Sequence, residues 1–332
     1  MAAYQKTVSI IVVNWNGERF VEACLESIRE QSYGNAEIIF VDNGSTDSSV
    51  ALVRGKFPEI RVVQLPENSG FAAGNAAGLT VAQGDLIALV NNDARPEKNW
   101  LENLLQPMLD DPRVGICASK ILFSADGRIN SAGDCITSAA VGFNRGLGKG
   151  SAEYETAGWV FGACGAAVLY RRRMLDEIGF LDDDFFLYDE DTDLNFRAQL
   201  AGWKCAYVPT AIVYHLANAT SVRLSDTHVY YHARNLEFVW LKNLPAGLML
   251  RLAPQKLLQE IGSFCYLCIR HGKWTAYFRA KRDALRTVPS MWKKRKDVQS
   301  RRRVSNAYVK SMMTPLLSKE LIQQKIRQFI RG

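Results

Sequence analysis

The chain opens with an uninterrupted apolar run, Val8–Val13, rich in β-branched residues and of strand length. A strand covered on both faces reads this way. Helical spacing follows over Glu18–Gln31, with Phe20, Val21, Cys24, Leu25 and Ile28 on one side. The alternation then repeats, with strands at Glu37–Val41, Ile60–Leu65 and Asp85–Val90 and helices at Ser48–Phe57, Phe71–Ala82 and about Glu97–Leu109. Such alternation predicts an α/β fold whose parallel sheet is joined by right-handed crossovers. Ligands of these sheets lie at the carboxyl ends of the strands. That rule points to Asn14–Asn16, Asp42–Ser45, Glu67–Gly70 and Asn91–Asp93, all polar and all following strands.

Periodicity weakens over Ser124–Gly158, which reads as a long surface excursion rich in Gly, Ser and Asn. Order returns with the apolar, Gly-rich Trp159–Tyr170 and a helix near Arg172–Ile178. Asp182–Asp184 is a turn before Phe185–Tyr188, and a helix spans about Glu190–Ala201, with Gly202 as its terminating residue. Two short strands, Lys204–Val208 and Ile212–His215, come next. Beyond about Ser225 the pattern predicts basic helical segments broken by Pro245, Pro254, Pro289 and Pro315.

Charge divides the chain in two. Residues 1–222 carry 18 Lys+Arg against 28 Asp+Glu, and residues 223–332 carry 23 against 6, so a net charge of +7 hides a basic C-terminal part. Such a part faces something anionic, a membrane or a nucleic acid. The seven cysteines are scattered without zinc-ribbon spacing, as in a reduced, cytosolic protein. No signal-peptide pattern and no long uninterrupted apolar run occur, so the expected location is the cytoplasm.

The polar clusters narrow the chemistry. Asn14-Trp15-Asn16-Gly17-Glu18-Arg19 has one glycine where a dinucleotide fold needs three, which argues against hydride transfer. Asp42 is placed either to accept hydrogen bonds from a base or ribose or to cap the following helix, whereas Asp47 reads as a cap. Asn91-Asn92-Asp93 ends an apolar strand, where a carboxylate suits a hard divalent cation facing a pyrophosphate; an ordinary polar loop is the other reading. Asp189-Glu190-Asp191-Thr192-Asp193 opens a helix whose dipole favours acids, and Asp193 and Arg197 are spaced as a pair. Three acids beside Phe185, Phe186 and Tyr188 exceed what capping needs; apolar surroundings raise a carboxylate pKa toward that of a useful base. His215, ending a strand, is a metal ligand or a structural histidine.

Taken in order, Val8–Asn16, Val41–Asp47, Asn68–Asn75, Asn91–Asp93 and Glu190–Arg197 resemble the family 2 glycosyltransferases, most closely a rhamnosyltransferase-like branch. The resemblance covers about residues 7–220 and implies a GT-A fold, a Rossmann-like sheet binding a nucleotide sugar through Mg2+ or Mn2+. It assigns Asp42 and Asn14 to the base pocket, and places Asn68, Gly70, Asn75, Asn91 and Asn92 along the nucleotide sugar. It makes Asp93 and His215 the metal ligands and Asp191 the general base of an inverting transfer. Asn91 replaces the first acid of the family's Asp-x-Asp motif, which removes one anionic ligand. Glu190 and Trp159 fall on the acceptor side, and Arg234 is placed to reach the diphosphate or to form a structural salt bridge.

The resulting expectation is a GT-A glycosyltransferase domain over residues 1–222 and a basic helical region over 223–332. The tail clusters Lys293–Lys296 and Arg301–Arg303, interspersed with Trp274, Tyr277, Phe278 and Trp292, suit an anionic membrane surface better than nucleic acid. The enzyme would sit on the inner face of the plasma membrane and move a sugar, with dTDP-rhamnose as first candidate donor, to a lipid-linked glycan of the cell envelope. The rival functions are metal-dependent nucleotidyl transfer and a catalytically silent sugar- or lipid-binding scaffold.

Overall fold

The computed structural model describes residues 6–217, 224–319 and 321–322. Its first part is β1 (Val8–Asn14), α1 (Glu18–Arg29), β2 (Ala36–Asn43), α2 (Ser49–Lys56), β3 (Arg61–Leu65), α3 (Gly70–Val81), β4 (Leu86–Val90) and the short β5 (Ala94–Pro96). Next come α4 (Trp100–Asp110), β6 (Val114–Phe123), β7 (Ile129–Ala132), β8 (Asp134–Thr137), β9 (Gly142–Asn144), β10 (Gly158–Val160) and β11 (Ala167–Arg171). Then follow α5 (Arg172–Ile178), a 3-10 turn at Asp183–Phe185, α6 (Glu190–Leu200) and β12 (Lys204–His215). The C-terminal part is helical: α7 (Asp226–Asn243), α8 (Ala246–Phe264), α9 (Trp274–Arg286), α10 (Val288–Ser300) and α11 (Asn306–Ser311), closed by β13 (Met313–Thr314).

The main sheet runs β10-β12-β6-β11-β4-β1-β2-β3. Strands β4, β1, β2 and β3 are mutually parallel, as the alternating pattern predicts, while β11 enters antiparallel between β4 and β6. Period-2 alternation explains the unbroken apolar run of β1. Val8, Ile10 and Val12 join α1 and α4 side chains such as Leu25, Ile28, Trp100 and Leu104 on one face. Ile11 joins Val41, Met174, Leu194 and Ala198 on the other. Each fully buried Leu or Ile in these layers contributes about 1.5–3 kcal/mol.

Three expectations are corrected. Only the end of Ser124–Gly158, about 150–158, is an exposed surface loop; before it β7 joins the main sheet, β8 and β9 form a small sheet with β13, and Ile129, Ser131, Ile136 and Ala140 are fully buried. Tertiary pairing orders residues whose composition carries no period. Lys204–Val208 and Ile212–His215 are one strand, β12, whose register against β6 shifts between Val208 and Ile212. Pro254 lies inside α8 and breaks no helix, whereas Pro289 falls at the boundary between α9 and α10, in the first turn of α10, where a proline costs no hydrogen bond. Pro245 also marks a boundary, just before α8. The expected division between residues 222 and 223 lies outside the described residues. On either side of it, Phe196 and Leu200 of α6 share one apolar cluster with Phe238 and Val239 of α7 and Met291 of α10.

Candidate active site

The parallel register of β1 and β2 sets Asn14 opposite Asp42 at their carboxyl ends. Asn14 is fully buried; its Oδ1 accepts from Asn92 Nδ2 at 2.7 Å and its Nδ2 donates to Ser45 Oγ at 3.3 Å. Asp42 Oδ2 accepts from the Ser45 amide at 3.3 Å, but Asp42 Oδ1 is buried without a donor. A carboxylate oxygen so placed is expensive to leave unpaired, which fits a ligand N–H or O–H arriving there. Asp47 accepts from the amides of Ser49 and Glu18, so it caps the starts of α2 and α1, as the cap reading expects.

Asn43 fixes the next loop, donating to Asn68 Oδ1 and the Gly70 carbonyl and accepting from the Ser69 amide. Asn68 Oδ1 also accepts from the Gly70 amide at 3.0 Å. Gly70 has φ +88°, and a Cβ there would lie 2.5 Å from the Phe186 carbonyl oxygen. The close approach that requires this glycine is therefore made by protein backbone rather than by a nucleotide. Asn75 is likewise buried, and its amide donates to the Phe71 carbonyl one turn back. The observed partners of these two residues lie within the protein.

Asp93 sits in a turn closed by the Ala94 amide on the Asn91 carbonyl. β5 then folds back antiparallel to β12, pairing Ala94 with His215. This pairing brings His215 Nε2 to 3.1 Å from Asp93 Oδ1, with Asn91 Nδ2 at 3.5 Å. On the other side of the ring, Nδ1 lies 3.0 Å from Asn130 Oδ1 of β7. An amide oxygen can only accept, so Nδ1 carries its proton and Nε2 presents a lone pair or a second proton to the carboxylate. Either a proton or a cation satisfies that juxtaposition. Asn91 Oδ1 is also buried without a partner. Oxygen and imidazole donors of this kind suit Mg2+ or Mn2+.

The acidic segment is held under backbone strain. Phe186, Tyr188 and Asp189 all have positive φ, an uncommon state for non-glycine residues that clusters at functional sites. Asn235 of α7 offsets it by donating to the carbonyls of Phe185, Leu187 and Tyr188. Arg234 donates to the Asp184 and Phe185 carbonyls and forms no ion pair among the described residues, so its structural contact is to backbone rather than the salt bridge expected of it. α6 then starts, and Asp191 Oδ2 accepts from the Gly165 amide at 2.9 Å while Oδ1 accepts from the Thr192 amide at 2.7 Å. Burial pushes the Asp191 carboxyl above its ordinary 3.8, opposed by the Gly165 N–H and reinforced by Asp189. Burial and then Asp191 push Glu190 well above 4.5, and its Oε2 is buried without a partner. Asp193 faces the interior instead, at 2.8 Å from Arg197, 2.9 Å from Lys242 and 2.8 Å from Asn243.

The two halves of the site meet at consecutive residues. Gly165 donates to Asp191, and the Ala166 carbonyl accepts from the Asn91 amide at 2.9 Å. Asn195 of α6 grips the same segment from below, donating to the Ala163 carbonyl and accepting from its amide. Asp191 and the Asn91–Asp93 turn are thus fastened to one short stretch of backbone. Trp159 is not drawn in: it stands 62% exposed on the edge strand β10, its ring under Lys204 Nζ at 4.5 Å.

Sequence reasoning missed Asp134 and Asn130, both in the segment that lacks a period. Single ligand atoms of Asp134, Cys164 and Asp191 lie within 4.8 Å of one another. Burial, and then Asp191, push the Asp134 carboxyl well above 3.8, while burial and then Asp134 push the Cys164 thiol well above 9.0. A soft thiol suits Mg2+ or Mn2+ poorly, and two such close carboxyls share a proton more easily than they both ionise. Asp93 and His215 are the better cation donors.

With this geometry in place, the comparisons are specific. The family model described as Glycosyl transferase family 2 matches residues 9–179. An N-acetylglucosaminyl-diphospho-decaprenol L-rhamnosyltransferase of Mycobacterium tuberculosis is 25% identical over 268 residues, 72% of this chain and 85% of that protein. The Sinorhizobium fredii protein y4gI is 29% identical over 231 residues, 64% of this chain, which spans only 25% of the length of that relative. The mannosyltransferase PcManGT of Pyrobaculum calidifontis, solved with GDP-Man and Mn2+, superposes with a TM-score of 0.53 at 15% identity, over 93% of this chain and 84% of its own. This likeness shows the fold, which is of the GT-A type.

Proposed function

The chain belongs to glycosyl transferase family 2, and from that premise we propose that it catalyses a metal-dependent, inverting sugar transfer from a nucleoside diphosphate donor to an acceptor hydroxyl. The observation that carries the reading is the fastening of Asp191 and the Asn91–Asp93 turn to adjacent residues Gly165 and Ala166. Asp93 and His215 would hold the divalent ion, with Asn130 fixing the imidazole. When bound, that ion neutralises the charge that develops on the departing diphosphate. Asp191, its carboxyl raised by burial, takes the proton of the acceptor hydroxyl as the hydroxyl oxygen attacks the anomeric carbon. Attack comes from the face opposite the diphosphate, so the C–O bond to the leaving group breaks as the new one forms, and configuration inverts. Asp42 Oδ1 awaits a donor, which supports recognition of a pyrimidine base, with Asn14 and Asn92 shaping the same pocket.

The donor we assign first is dTDP-rhamnose, and the acceptor a lipid-linked glycan of the cell envelope. Support comes from the name of the mycobacterial relative, which carries both a rhamnosyl group and a diphospho-decaprenol acceptor. No helix among the described residues is long and apolar enough to cross a membrane. Exposed apolar residues Leu257, Ile261, Ile269, Trp274 and Phe278 on α8, its extension and α9 support peripheral attachment at the inner face of the plasma membrane.

A panel of nucleotide sugars, each with Mn2+, Mg2+ or chelator, tests the reading through nucleoside diphosphate release. The expected result is metal-dependent release, fastest from dTDP-rhamnose. Release that is indifferent to metal, or absent from every donor, refutes the proposed chemistry.

A further inference from the structure

The basic C-terminal helices are less uniformly solvated than their composition suggests. Lys294 is neutralised by Asp182 and Asp184, Arg301 by Asp297 and Arg303 by Glu177. Arg295, Lys296 and Arg302 pair with no carboxylate among the described residues, and these three line one open cavity of about 390 Å³ between α8, α10 and α11. Arg295 is buried, and its Nη1 donates only to the Leu241 and Leu244 carbonyls. Burial, and then the neighbouring Arg302, push its guanidinium down from the ordinary value, as expected of like charges that lack a counter-ion.

The rest of the lining suits an anion. The cavity is floored by Ala246 and Gly247, the first turn of the 19-residue α8, which has no side-chain cap and no acid in that turn. Backbone N–H groups of an uncapped first turn, together with the helix dipole, favour negative charge. Gln299 and Trp292 complete the wall, and Trp292 is half exposed at the mouth. At helical spacing from Gly247, the side chains of Leu250, Leu257 and Ile261 form an exposed apolar stripe leading away along α8.

We propose that this cavity is a second anion site, separate from the sugar-donor site, that takes a phosphoryl group through Lys296, Arg302 and the first turn of α8. Lysine supplies a point charge and arginine a planar fork to phosphate oxygens, while the helix supplies N–H donors. The group arrives either free in solution or as the headgroup of a lipid whose chains lie along the Leu250–Ile261 stripe. The inference stands apart from the transfer chemistry and survives its failure.

The test uses the full chain in chelator, so that metal-borne nucleotide binding is silent. Inorganic pyrophosphate is titrated calorimetrically, and flotation is measured on phosphatidylcholine vesicles with and without phosphatidylglycerol. Lys296→Gln/Arg302→Gln should weaken binding of the active probe about tenfold or more, the loss expected for charged hydrogen bonds. Arg282→Gln/Arg286→Gln, exposed cations outside the cavity, should change it less than about twofold. Circular dichroism and thermal unfolding confirm that both variants fold. Pyrophosphate binding without flotation identifies a soluble phosphoryl ligand, and anionic-lipid flotation competed by pyrophosphate identifies a headgroup. Equal losses in the two double variants would reduce the site to diffuse charge and overturn it, as would binding of neither probe.

Discussion

Asp134 and Asp191 pose a question that only side-chain environments answer: which of two neighbouring carboxyls is the base. Asp191 accepts two backbone N–H bonds, from Gly165 and Thr192, which favour its ionised form, whereas Asp134 accepts from the Ser131 hydroxyl, so Asp134 is the better keeper of a shared proton. Asp134→Asn, which imitates the protonated form, should keep turnover within about tenfold of the parent; removing a general base costs about 100-fold to 10,000-fold. Loss of turnover on that larger scale would reverse the assignment. The sign of the pH dependence follows from the same environment. The base must be ionised and its carboxyl is raised, so kcat should fall as pH drops through a value above the ordinary 3.8. A plateau extending down to that value would contradict it. Asn130 supports a further prediction, since among the described residues it is the hydrogen-bond partner on the far side of the His215 ring. Asn130→Ala should weaken the divalent ion about tenfold to 100-fold, measured as the metal concentration for half-maximal activity. Of these residues, Asp93, His215 and Asp191 were legible because each stands at a strand end or helix start in an ordered set of motifs. Asp134 and Asn130 were not, because their neighbours carry no period and only strand pairing places them, Asn130 through β7 against β6 and Asp134 through β8 against β9 and a bridge to Gly162.

The elements that present these residues depend on a few backbone contacts. Phe186, Tyr188 and Asp189 have positive φ, and Asn235 of α7 fastens this segment through the carbonyls of Phe185, Leu187 and Tyr188. Asn235→Ala leaves the Leu187 and Tyr188 carbonyls short of a donor, while Phe185 keeps Arg234, and should cost about 1–3 kcal/mol in chemical denaturation, with a fall in kcat as Asp191 loses its aim. Unchanged stability and kcat would mean that the segment holds itself. Gly70 is its opposite wall, where a Cβ would press on the Phe186 carbonyl. At element level the sequence pattern located β1 to β4 and the helices between them, because β1, β2 and β4 carry continuous apolar runs buried in the sheet and even the edge strand β3 keeps Val62, Val63 and Leu65 half-buried. It placed β12 as two strands, because the shift in register near Pro209 interrupts the run. It passed over β8 and β9, short pieces whose partner β13 lies far along the chain.

Across the whole molecule, the helical C-terminal part is tied to α6 by ions as well as by apolar packing. Asp193 of α6 is fully buried between Arg197, Lys242 and Asn243, and Lys242 also reaches Asp182. Asp193→Ala leaves the buried Arg197 without its carboxylate and Lys242 with Asp182 alone, which should cost about 3–5 kcal/mol in urea unfolding. A loss below about 1 kcal/mol would show the network to be incidental. Lys242 and Arg197 hold the Asp193 carboxyl below 3.8 in spite of its burial. Its contribution is therefore complete above the unfolded carboxylate value and disappears as pH falls through the lower folded one. This coupling was not readable in advance: the acidic run explained itself locally as a helix start with an i,i+4 pair, and its link to α7 is tertiary. Charge composition did separate the basic tail, but not which of its cations are already neutralised.

The central claim is that the Asp93–His215 pair and Asp191 serve one reaction, the pair through the ion and nucleotide and the lone carboxylate through the acceptor proton. Nucleoside diphosphate binding in Mn2+ and sugar-transfer turnover, measured side by side in Asp93→Asn and Asp191→Asn, test it most directly. The account predicts that Asp93→Asn loses metal-dependent binding and turnover together, whereas Asp191→Asn binds as the parent does and turns over about 100-fold to 10,000-fold more slowly. An Asp191→Asn enzyme with most of its turnover, or an Asp93→Asn enzyme with unchanged metal-dependent binding, would contradict it.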